Sequence, residues 1–369
     1  MNIYIHQRPD WPHFRWQAAE FATALAEARY RQGRLLGRME ALNPKLRSEA
    51  SLEALTAEAV TSSAIEGEKL EDAQVRSSVA RRLKIEIGRT VRANRHVEGL
   101  VDMIVDATTH YDRPLTKERL FGWHNALFGA ERKGIDKIIV GAWRSDQFGP
   151  MRVLSGPIGK ERLHYEAPPA DRIEADMLDF LRWFNDEKRE LDPVLQAGIA
   201  HFWFVTIHPF EDGNGRIGRA IADMALARAD QSSQRFYSMS AQIRRERADY
   251  YDFLEAAQKG DLDITAHLAW FIGCFDRALA NAETLLSATL MKARFWERHA
   301  AARFNERQRT MLARLLDGFD GKLTSSKWAS IAKCSQDTAA RDIDALIKFG
   351  ILVKDGAGGR STSYSLVEL

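Results

Sequence analysis

The stretch HPFEDGNGRIGR, residues 208–219, decides the fold of this chain, because it brings a histidine, carboxylates, glycines and two arginines into a single turn. The ten residues before it, 198–207, are almost wholly apolar, which predicts a buried segment. Pro209 disfavours the α conformation at His208, so we expect that segment to end at the histidine.

The glycines of this stretch predict a binding site for an anion. Gly213 and Gly215 flank Asn214 and can take positive φ, so successive backbone N–H groups can point toward one ligand. A second helix is predicted to begin at about Arg216, and the unpaired N–H groups and dipole of a helix N-terminus favour negative charge. We therefore interpret the loop as a cradle for phosphate.

Two other interpretations fit the same residues less well. The glycines also have the spacing of a dinucleotide-binding fingerprint, but that motif needs a preceding strand and an acidic residue about 20 positions further on. Residues 235–237 are basic and aromatic instead. A capped helix with a hydrogen-bonded histidine would explain His208 or the glycines singly, but it would not explain Asp212 together with both arginines.

Position by position, the stretch resembles the HPF-x-[D/E]-GNGR-x-x-R signature of the Fic family. In that family the signature lies between two helices and catalyses transfer of a nucleotide monophosphate, usually AMP from ATP, to a protein hydroxyl. The resemblance implies a mainly α fold, with a Fic-type helical core and a β-hairpin flap. It also implies ATP as substrate, Mg²⁺ as cofactor, and a target protein that presents a serine, threonine or tyrosine hydroxyl.

The resemblance assigns a role to each residue of the motif. His208 resembles the general base that takes the proton of the target hydroxyl, and Asp212 resembles the carboxylate tied to the magnesium. The residues implied to bind the nucleotide phosphates are Gly213, Asn214, Gly215, Arg216 and Arg219. These residue types suit the chemistry, because phosphoryl-type transfer depends on positioning and charge neutralisation, and because imidazole titrates near neutral pH.

A predicted helix over about 51–66 carries a carboxylate on an apolar stripe. At 100° per residue, one arc of about 80° contains Leu52, Leu55, Ala59, Ser62 and Glu66. A buried carboxylate needs a partner, and Gly67 supplies a helix stop. Residues 62–67, from Ser62 through Glu66 to Gly67, resemble the family's inhibitory motif, [S/T]-x-x-x-E-[G/N]. There the glutamate pairs with the last arginine of the signature, here Arg219; a solvated helix-end glutamate is the alternative.

Two further segments have counterparts in the family. Glycines, prolines and short apolar runs over 148–157 predict a β-hairpin, and its flanks, GAWR at 141–144 and HYEAPP at 164–169, resemble those of the family's flap. In the family an edge of the flap pairs with the target segment by strand addition; a plain connecting hairpin is the alternative. Tyr250 and Tyr251 resemble the segment near the adenine, with core packing as the alternative, and His267 stands where relatives often have tryptophan.

We divide the chain into an N-terminal helical module at 1–50, a Fic catalytic core at 51–290 that includes the inhibitory helix 51–67, and a winged helix–turn–helix at 301–369. Three predicted helices before two short strands are the order of a winged helix, which binds DNA or protein. The predicted recognition helix has two basic against three acidic residues, a net charge of −1: Arg341, Lys348, Asp337, Asp342 and Asp344. Because a helix that enters the major groove should be basic, charge favours protein docking or homodimer contacts over DNA.

The composition excludes several classes of protein. The 369 residues are 45% hydrophobic and 28% charged, as in globular proteins, and the net charge of +2 gives no general attraction to nucleic acid or acidic membranes. Cys274 and Cys334 lie too far apart in sequence to indicate a disulfide framework or zinc site. No apolar run approaches the roughly 18 residues of a spanning helix, and the first residues lack signal-peptide character. We expect a cytoplasmic protein without a membrane partner.

The sequence therefore predicts a protein adenylyltransferase, an AMPylator that Glu66 inhibits by pairing with Arg219. The alternative from another class is a nucleotide-sensing transcriptional regulator whose winged helix binds DNA. An intact His208 favours the enzyme, since sensing a nucleotide requires no general base.

Overall fold

The computed structural model describes residues 4–129, 138–147, 149–156, 159–186, 188, 190–316, 318–319, 321–356 and 362–367. Phe148 and Pro157 of the predicted hairpin, and residues 357–361 of the predicted winged helix–turn–helix, lie outside these described residues. The chain divides into two compact units, Met1–Ala282 and Glu283–Leu369.

The first unit is built mainly of helices. They are α1 Ala22–Glu40, α2 Pro44–Ile65, α3 Asp72–Arg82, α4 Arg95–Thr109, α5 Lys117–Phe128, α6 Ile173–Phe184, α7 Pro193–Ile207, α8 Asn214–Asp230, α9 Met239–Arg245, α10 Arg247–Gln258 and α11 Thr265–Arg298, whose last residues belong to the second unit. Strands β1 Arg152–Ser155 and β2 Arg162–Glu166 pair as an antiparallel hairpin. The predicted mainly α fold with one β-hairpin is confirmed. In the part of the chain that is described, no helix combines the length and apolar character needed to cross a membrane.

Helices α7 and α8 form the centre of this unit, because both are buried on nearly every side. Every side chain of α7 except those of Pro193 and Gln196 is buried, and Asp192 caps its first turn by accepting a hydrogen bond from the Val194 N–H at 2.8 Å. A Cβ at Gly218 of α8 would lie 2.7 Å from the Val205 side chain. The two helices therefore pack closely, which fixes the loop that joins them.

Helix α2 is longer than predicted. It begins at Pro44, where the Asn43 side chain accepts a hydrogen bond from the Leu46 N–H at 3.0 Å, and ends at Ile65. The four apolar or small residues of the predicted stripe, 52 to 62, are buried as expected. Glu66 is the residue after the helix, so its side chain leaves the stripe and is 31% exposed, which corrects the prediction of a fully buried carboxylate.

The hairpin turns one face toward the helices. Val153 pairs with Tyr165 and Leu154 with Leu163, and a β-bulge separates the two pairs. Tyr165 is buried, whereas Leu154 and Leu163 are exposed. On one side of the bulge the hairpin packs against the helices through Tyr165, and on the other side Leu154 and Leu163 stay open to solvent.

The second unit has its own core. Its elements are α12 Glu306–Leu316, α13 Ser325–Ala332, α14 Gln336–Lys348 and the antiparallel strands β3 Leu352–Lys354 and β4 Tyr364–Leu366. Its largest fully buried side chain is that of Trp328, packed among Met311, Leu312 and Ile343. This is the order of elements expected for the segment, and the identification as a winged helix stays a prediction.

The charge predicted for α14 needs correction. Asp342 is buried and accepts hydrogen bonds from Arg307 Nε and Asn305 Nδ2, each at 2.8 Å. Its charge is therefore used in hydrogen bonds within the unit and does not contribute to the exposed surface of α14. The exposed charges are two basic and two acidic, a net charge of 0 rather than −1: Arg341, Lys348, Asp337 and Asp344.

Candidate active site

His208 is held in an unusual backbone conformation at the end of α7. The helix ends at Ile207 as predicted, but His208 is left-handed, with φ 52° and ψ 57°, rather than extended. Its Nδ1 lies 3.2 Å from the Val205 carbonyl oxygen. Because a carbonyl can only accept, Nδ1 carries the proton and Nε2 keeps a lone pair that can take one.

Arg144 supports this conformation from the segment before the hairpin. Its Nε donates to the His208 carbonyl oxygen at 2.8 Å, and its backbone N–H donates to the Pro209 carbonyl oxygen at 2.9 Å. Asp146 pairs with the same guanidinium at 2.9 Å. A residue other than glycine in the left-handed region costs on the order of 1 kcal/mol, so these buried contacts offset local strain. Sequence reasoning treated Arg144 only as a flap flank and missed this role.

The surroundings of His208 favour its neutral form. Burial of the ring is the main cause that lowers the pKa of His208 from the ordinary value of 6.5 to about 4. The Arg144 guanidinium lowers the pKa further, and the Val205 carbonyl and nearby carboxylates only partly oppose the shift. The ring is therefore uncharged, with an available lone pair, throughout the physiological range.

This shift predicts how activity depends on pH. If His208 is the general base that the sequence predicts, it must be neutral to accept a proton, so lowering its pKa moves the loss of activity to more acidic pH. We expect kcat/KM to stay level from neutral pH down to about pH 5 and to fall as pH approaches the value of about 4. A profile of kcat/KM against pH, read beside the folded fraction at each pH, measures this. A fall centred near pH 6.5 would contradict the environment described for His208.

The sequence predicts positive φ at both Gly213 and Gly215 of the loop after His208, but only Gly213 adopts it. Gly213 takes φ +81° as the residue before α8, whereas Asn214 and Gly215 already belong to the first helical turn. The Asn214 side chain is buried, because its Oδ1 accepts from the Phe210 N–H at 2.9 Å and its Nδ2 donates to the Phe210 carbonyl oxygen at 2.7 Å. Asn214 can therefore offer a phosphate only its backbone N–H.

His124 of α5 supports the same loop from below. Its Nδ1 accepts from the Gly141 N–H at 3.0 Å, so its Nε2 carries the proton and donates to the Asp212 carbonyl oxygen at 3.2 Å. The ring stacks on Phe210 with centroids 4.3 Å apart. The sequence analysis gave His124 no role, so the link between the flap segment and the loop was missed.

The two arginines of the stretch are buried, and one of them meets the segment after α2. The nearest atoms of Arg219 and Glu66, Nη1 and Oε1, are 2.9 Å apart. Arg219 also donates to Ser62 through Nε to Oγ at 3.0 Å and through Nη2 to the carbonyl oxygen at 2.8 Å. The fold thus brings Arg219 to Ser62 and Glu66, which both precede it by more than 150 positions.

Glu66 also lies directly against the first turn of α8. A Cβ at Gly215 would collide with Glu66 Oε1, so the carboxylate occupies the space over the helix N-terminus where the sequence predicts an anion. Burial acts against the charged form of Arg219, but the Glu66 carboxylate outweighs it and raises the arginine's pKa. Gly67, with φ +86°, ends the helix and lets the chain turn away after Glu66.

A second carboxylate of this segment holds the other arginine. Arg216 Nη1 is 2.8 Å from Glu68 Oε2, and His96 Nε2 is 2.9 Å from the same oxygen. The hydrogen bond from His96, together with the charge of Arg216, lowers the pKa of the Glu68 carboxyl. Arg216 also lies over the ring of Phe128, 5.0 Å from its centroid. Sequence reasoning missed Glu68, although it stands only two positions after Glu66.

Asp212 fits the ligand set that Mg²⁺ prefers. Its carboxylate is 42% exposed beside α8, accepts the Gly213 N–H at 2.6 Å and lies 3.6 Å from Arg216. No group of three histidine, cysteine or carboxylate side chains that could hold a metal occurs in the described ranges. Mg²⁺ in nucleotide sites is usually held by one or two carboxylates together with the substrate phosphates, so a single carboxylate is compatible with it.

A cavity of about 480 Å³ opens between the hairpin, α10 and the loop. His208, Gly215 and Glu66 line one part of it, and the strands and α10 line the rest. Tyr250 and Tyr251 both contribute, but Tyr250 is buried with its hydroxyl 3.1 Å from His201 Nε2, whereas Tyr251 is 36% exposed. Tyr251 therefore has the ring that is more open to a ligand. The volume of the cavity is within the range of small-molecule sites.

Residues 114–226, which include the hairpin and the whole stretch 208–219, match the Fic/DOC family. The chain carries a Fic domain. Residues 4–85, which include α1 and α2, match a domain of unknown function, DUF4172. The Glu66 segment therefore lies within the DUF4172 match and outside the Fic/DOC match.

Curated relatives carry the name protein adenylyltransferase Fic. Those of Drosophila sechellia and Drosophila melanogaster are each 30% identical over 201 residues, which cover 54% of this chain and 36% of the relative. The chain thus spans little more than a third of the length of the relatives it matches.

Solved structures agree on the fold. A Fic family protein from Desulfovibrio desulfuricans G20 superposes with a TM-score of 0.53 at 22% identity, covering 93% of this chain and 96% of that one. Fic-1 from C. elegans superposes with a TM-score of 0.51 at 19% identity, covering 74% and 76%.

Proposed function

We propose that this Fic-domain protein transfers AMP from Mg–ATP to serine, threonine or tyrosine hydroxyls of target proteins. The observation that carries the proposal is the shared cavity of His208 and Gly215, which puts a neutral base next to the N-terminus of α8. One part of the cavity has backbone N–H groups suited to phosphate. The other part has the aromatic surface of Tyr251, which suits the adenine ring of a nucleotide.

In the proposed reaction the target hydroxyl attacks the α-phosphorus of ATP. His208 Nε2 takes the hydroxyl proton as the new O–P bond forms, and the bond between the α-phosphorus and the bridging oxygen breaks, so that pyrophosphate leaves. The Nδ1–H bond to Val205 keeps Nε2 directed as an acceptor during this step. General base catalysis of this kind contributes on the order of 10² to 10⁴ in rate.

The phosphates would lie at the N-terminus of α8. The backbone N–H groups of Gly213, Asn214 and Gly215 supply donors, and Arg216 and Arg219 supply positive charge. Asp212 would hold Mg²⁺, which neutralises phosphate charge when it is bound. The exposed edge of the hairpin, near Leu154 and Leu163, would pair with the target chain and deliver its hydroxyl.

Glu66 would inhibit this reaction. Its carboxylate pairs with Arg219 and lies over Gly215, so a γ-phosphate directed to Arg219 would meet a negative charge already in place. ATP could then bind only in a pose that shifts its α-phosphorus, and a displacement of about 1 Å can cost roughly 100-fold in rate.

A labelling experiment separates transfer from nucleotide sensing. The wild-type chain and the Glu66→Gly variant are incubated with α-labelled ATP, Mg²⁺ and a cell extract, then denatured and separated on a gel. Label that stays on protein after denaturation supports transfer. Nucleotide binding to the native variant, with no label retained, would instead favour the regulator that only senses ATP.

The second unit is proposed to be a winged helix that contacts a protein partner or a second copy of the chain. The exposed charges of α14 sum to zero, which gives no general attraction to the DNA backbone. We expect duplex DNA to bind more weakly than micromolar at physiological salt, as measured by fluorescence anisotropy over a salt series. Sequence-specific binding at micromolar or below would contradict the proposal and favour a transcriptional regulator.

A further inference from the structure

The first described residues of the chain pack against the inner face of the hairpin. A short 3₁₀ turn, Ile5–Gln7, follows Tyr4, and Tyr4 forms a small core with Tyr165 and Ala167 of the β2 segment. The Tyr4 and Tyr165 rings meet edge to face with centroids 5.2 Å apart. The N-terminal turn therefore contacts the flap at its buried face, away from the edge that is open to a target.

A hydrogen-bond relay runs from this turn through the flap to α7. His6 Nδ1 is 3.0 Å from the Tyr165 hydroxyl, which donates to the Thr206 carbonyl oxygen at 2.8 Å. The tyrosine has one hydroxyl proton and gives it to Thr206, so its oxygen must accept from His6. The relay thus fixes the Nδ1–H tautomer of His6, and all of its members are buried.

Other contacts hold the turn in place on both sides. Arg172 Nη1 donates to the His6 carbonyl oxygen at 3.2 Å, and Arg8 Nε donates to the Gly260 carbonyl oxygen at 3.2 Å, just beyond α10. Burial, with the charge of Arg172, lowers the pKa of His6 to about 4, so the neutral tautomer that the relay needs persists at physiological pH. These contacts hold the turn in place against the flap.

We propose that this N-terminal turn is a brace that sets the distance between the flap and the catalytic histidine, with His6 and Tyr165 as positioning residues. The proposal rests on the transferase function proposed above. Thr206 stands two residues before His208, and Val153, the cross-strand partner of Tyr165, lines the cavity. One relay therefore connects the strands that would present a target with the helix end that carries the base.

This role accounts for part of the domain of unknown function. The same domain reaches the phosphate-binding side of the cavity through Glu66 and the flap side through His6. Alignment of the reacting groups supplies much of the catalysis in such transfers, so a flap that shifts by a fraction of an ångström should bind the target less productively. Tyr165 also lines the cavity, but the hydroxyl that the relay uses donates to the Thr206 carbonyl oxygen. Because no phosphate-binding group belongs to the relay, ATP affinity should change little.

Four substitutions test the relay. Tyr165→Phe removes the central hydroxyl, and His6→Phe removes the donor while it keeps an aromatic ring. His6→Asn keeps an N–H donor close to the position of Nδ1 and should rescue. Tyr4→Phe is the matched control, since it removes a hydroxyl from the same aromatic cluster but not from the relay.

The rate of amide hydrogen exchange in β1 and β2 measures how firmly the turn holds the flap, and this measurement does not depend on catalysis. We expect exchange of the flap amides to accelerate about tenfold in Tyr165→Phe and His6→Phe, and to match the wild type in His6→Asn and Tyr4→Phe. Unchanged exchange in both relay variants, with the fold intact by circular dichroism, would overturn the brace. Equal acceleration in Tyr4→Phe would also overturn it, because general loosening of the cluster would then suffice.

Transfer kinetics provide the second readout. In the Glu66→Gly background, both relay variants should lose about five- to tenfold in kcat/KM for the target, mainly through KM, with ATP affinity unchanged. Wild-type kinetics in both variants would overturn the positioning role. If the parent chain transfers no AMP at all, the proposed function fails, while the exchange measurement still decides whether the brace exists.

Discussion

Replacing His208 with alanine should abolish AMP transfer while leaving ATP affinity within a few-fold of the wild type. In the proposed reaction the imidazole acts on the incoming hydroxyl, whereas α8 and the two arginines would hold the phosphates, so the substitution should affect the rate and not ATP binding. The expected loss in kcat is on the order of 10² to 10⁴. Single-turnover transfer with α-labelled ATP, beside calorimetric titration of ATP, measures both quantities.

A second histidine provides the control for this substitution. His267 is also buried and neutral, and it packs against Phe202 and Trp270 without lining the cavity. His267→Ala should lower thermal stability through lost packing and still transfer AMP. Undiminished transfer by His208→Ala, or an equal loss in both variants at a temperature where both are folded, would remove His208 from the mechanism.

Replacing Glu66 with glycine should raise the rate of transfer by an order of magnitude or more. A hydrogen bond to a charged group contributes about 1.5 to 3 kcal/mol, which is enough for Glu66 to compete with one phosphate contact for Arg219. Removing the carboxylate frees the arginine and clears the space beside Gly215. ATP affinity should change much less than the rate, because the other phosphate contacts remain.

Two companion variants test whether the gain comes through Arg219. Glu66→Gln keeps the length of the side chain without its charge and should give a smaller gain than glycine. Adding Arg219→Ala to Glu66→Gly should erase the gain, because the freed guanidinium is what the first change makes available. Equal rates for wild type and Glu66→Gly, with the same target and Mg–ATP, would mean that the segment after α2 is scaffold.

The sequence was most informative where the functional residues are contiguous. The stretch 208–219 predicted the end of α7, the loop and the start of α8 within two residues, because a proline, glycines and an apolar run act locally. The stripe on α2 was also predictable, since helical periodicity places its residues on one face. The pairing of Glu66 with Arg219, which the resemblance implied, is observed, but the partial exposure of Glu66 was not predicted, because it depends on where the helix stops.

Contacts between distant residues could not be predicted in this way. Arg144 reaches the His208 carbonyl across 64 positions, His124 reaches Asp212 across 88, and Glu68 reaches Arg216 across 148. Each pairs a common residue type with a backbone carbonyl or a charge, so no local pattern distinguishes it from a solvated side chain. Asp342 illustrates the reverse error, since an apparently exposed acid is bonded internally to Arg307.

The most direct test of the proposed reaction is the mass of the modified target. A protein that is labelled by the Glu66→Gly variant is isolated after parallel reactions with ordinary ATP and with ATP carrying ¹³C in its adenosine, then digested and sequenced by mass spectrometry. We expect one peptide to gain the mass of a single AMP on a serine, threonine or tyrosine, and that gain to increase by the full isotope label. A gain of one phosphate without the adenosine label, or no modified peptide with an active nucleotide-binding protein, would contradict transfer of AMP.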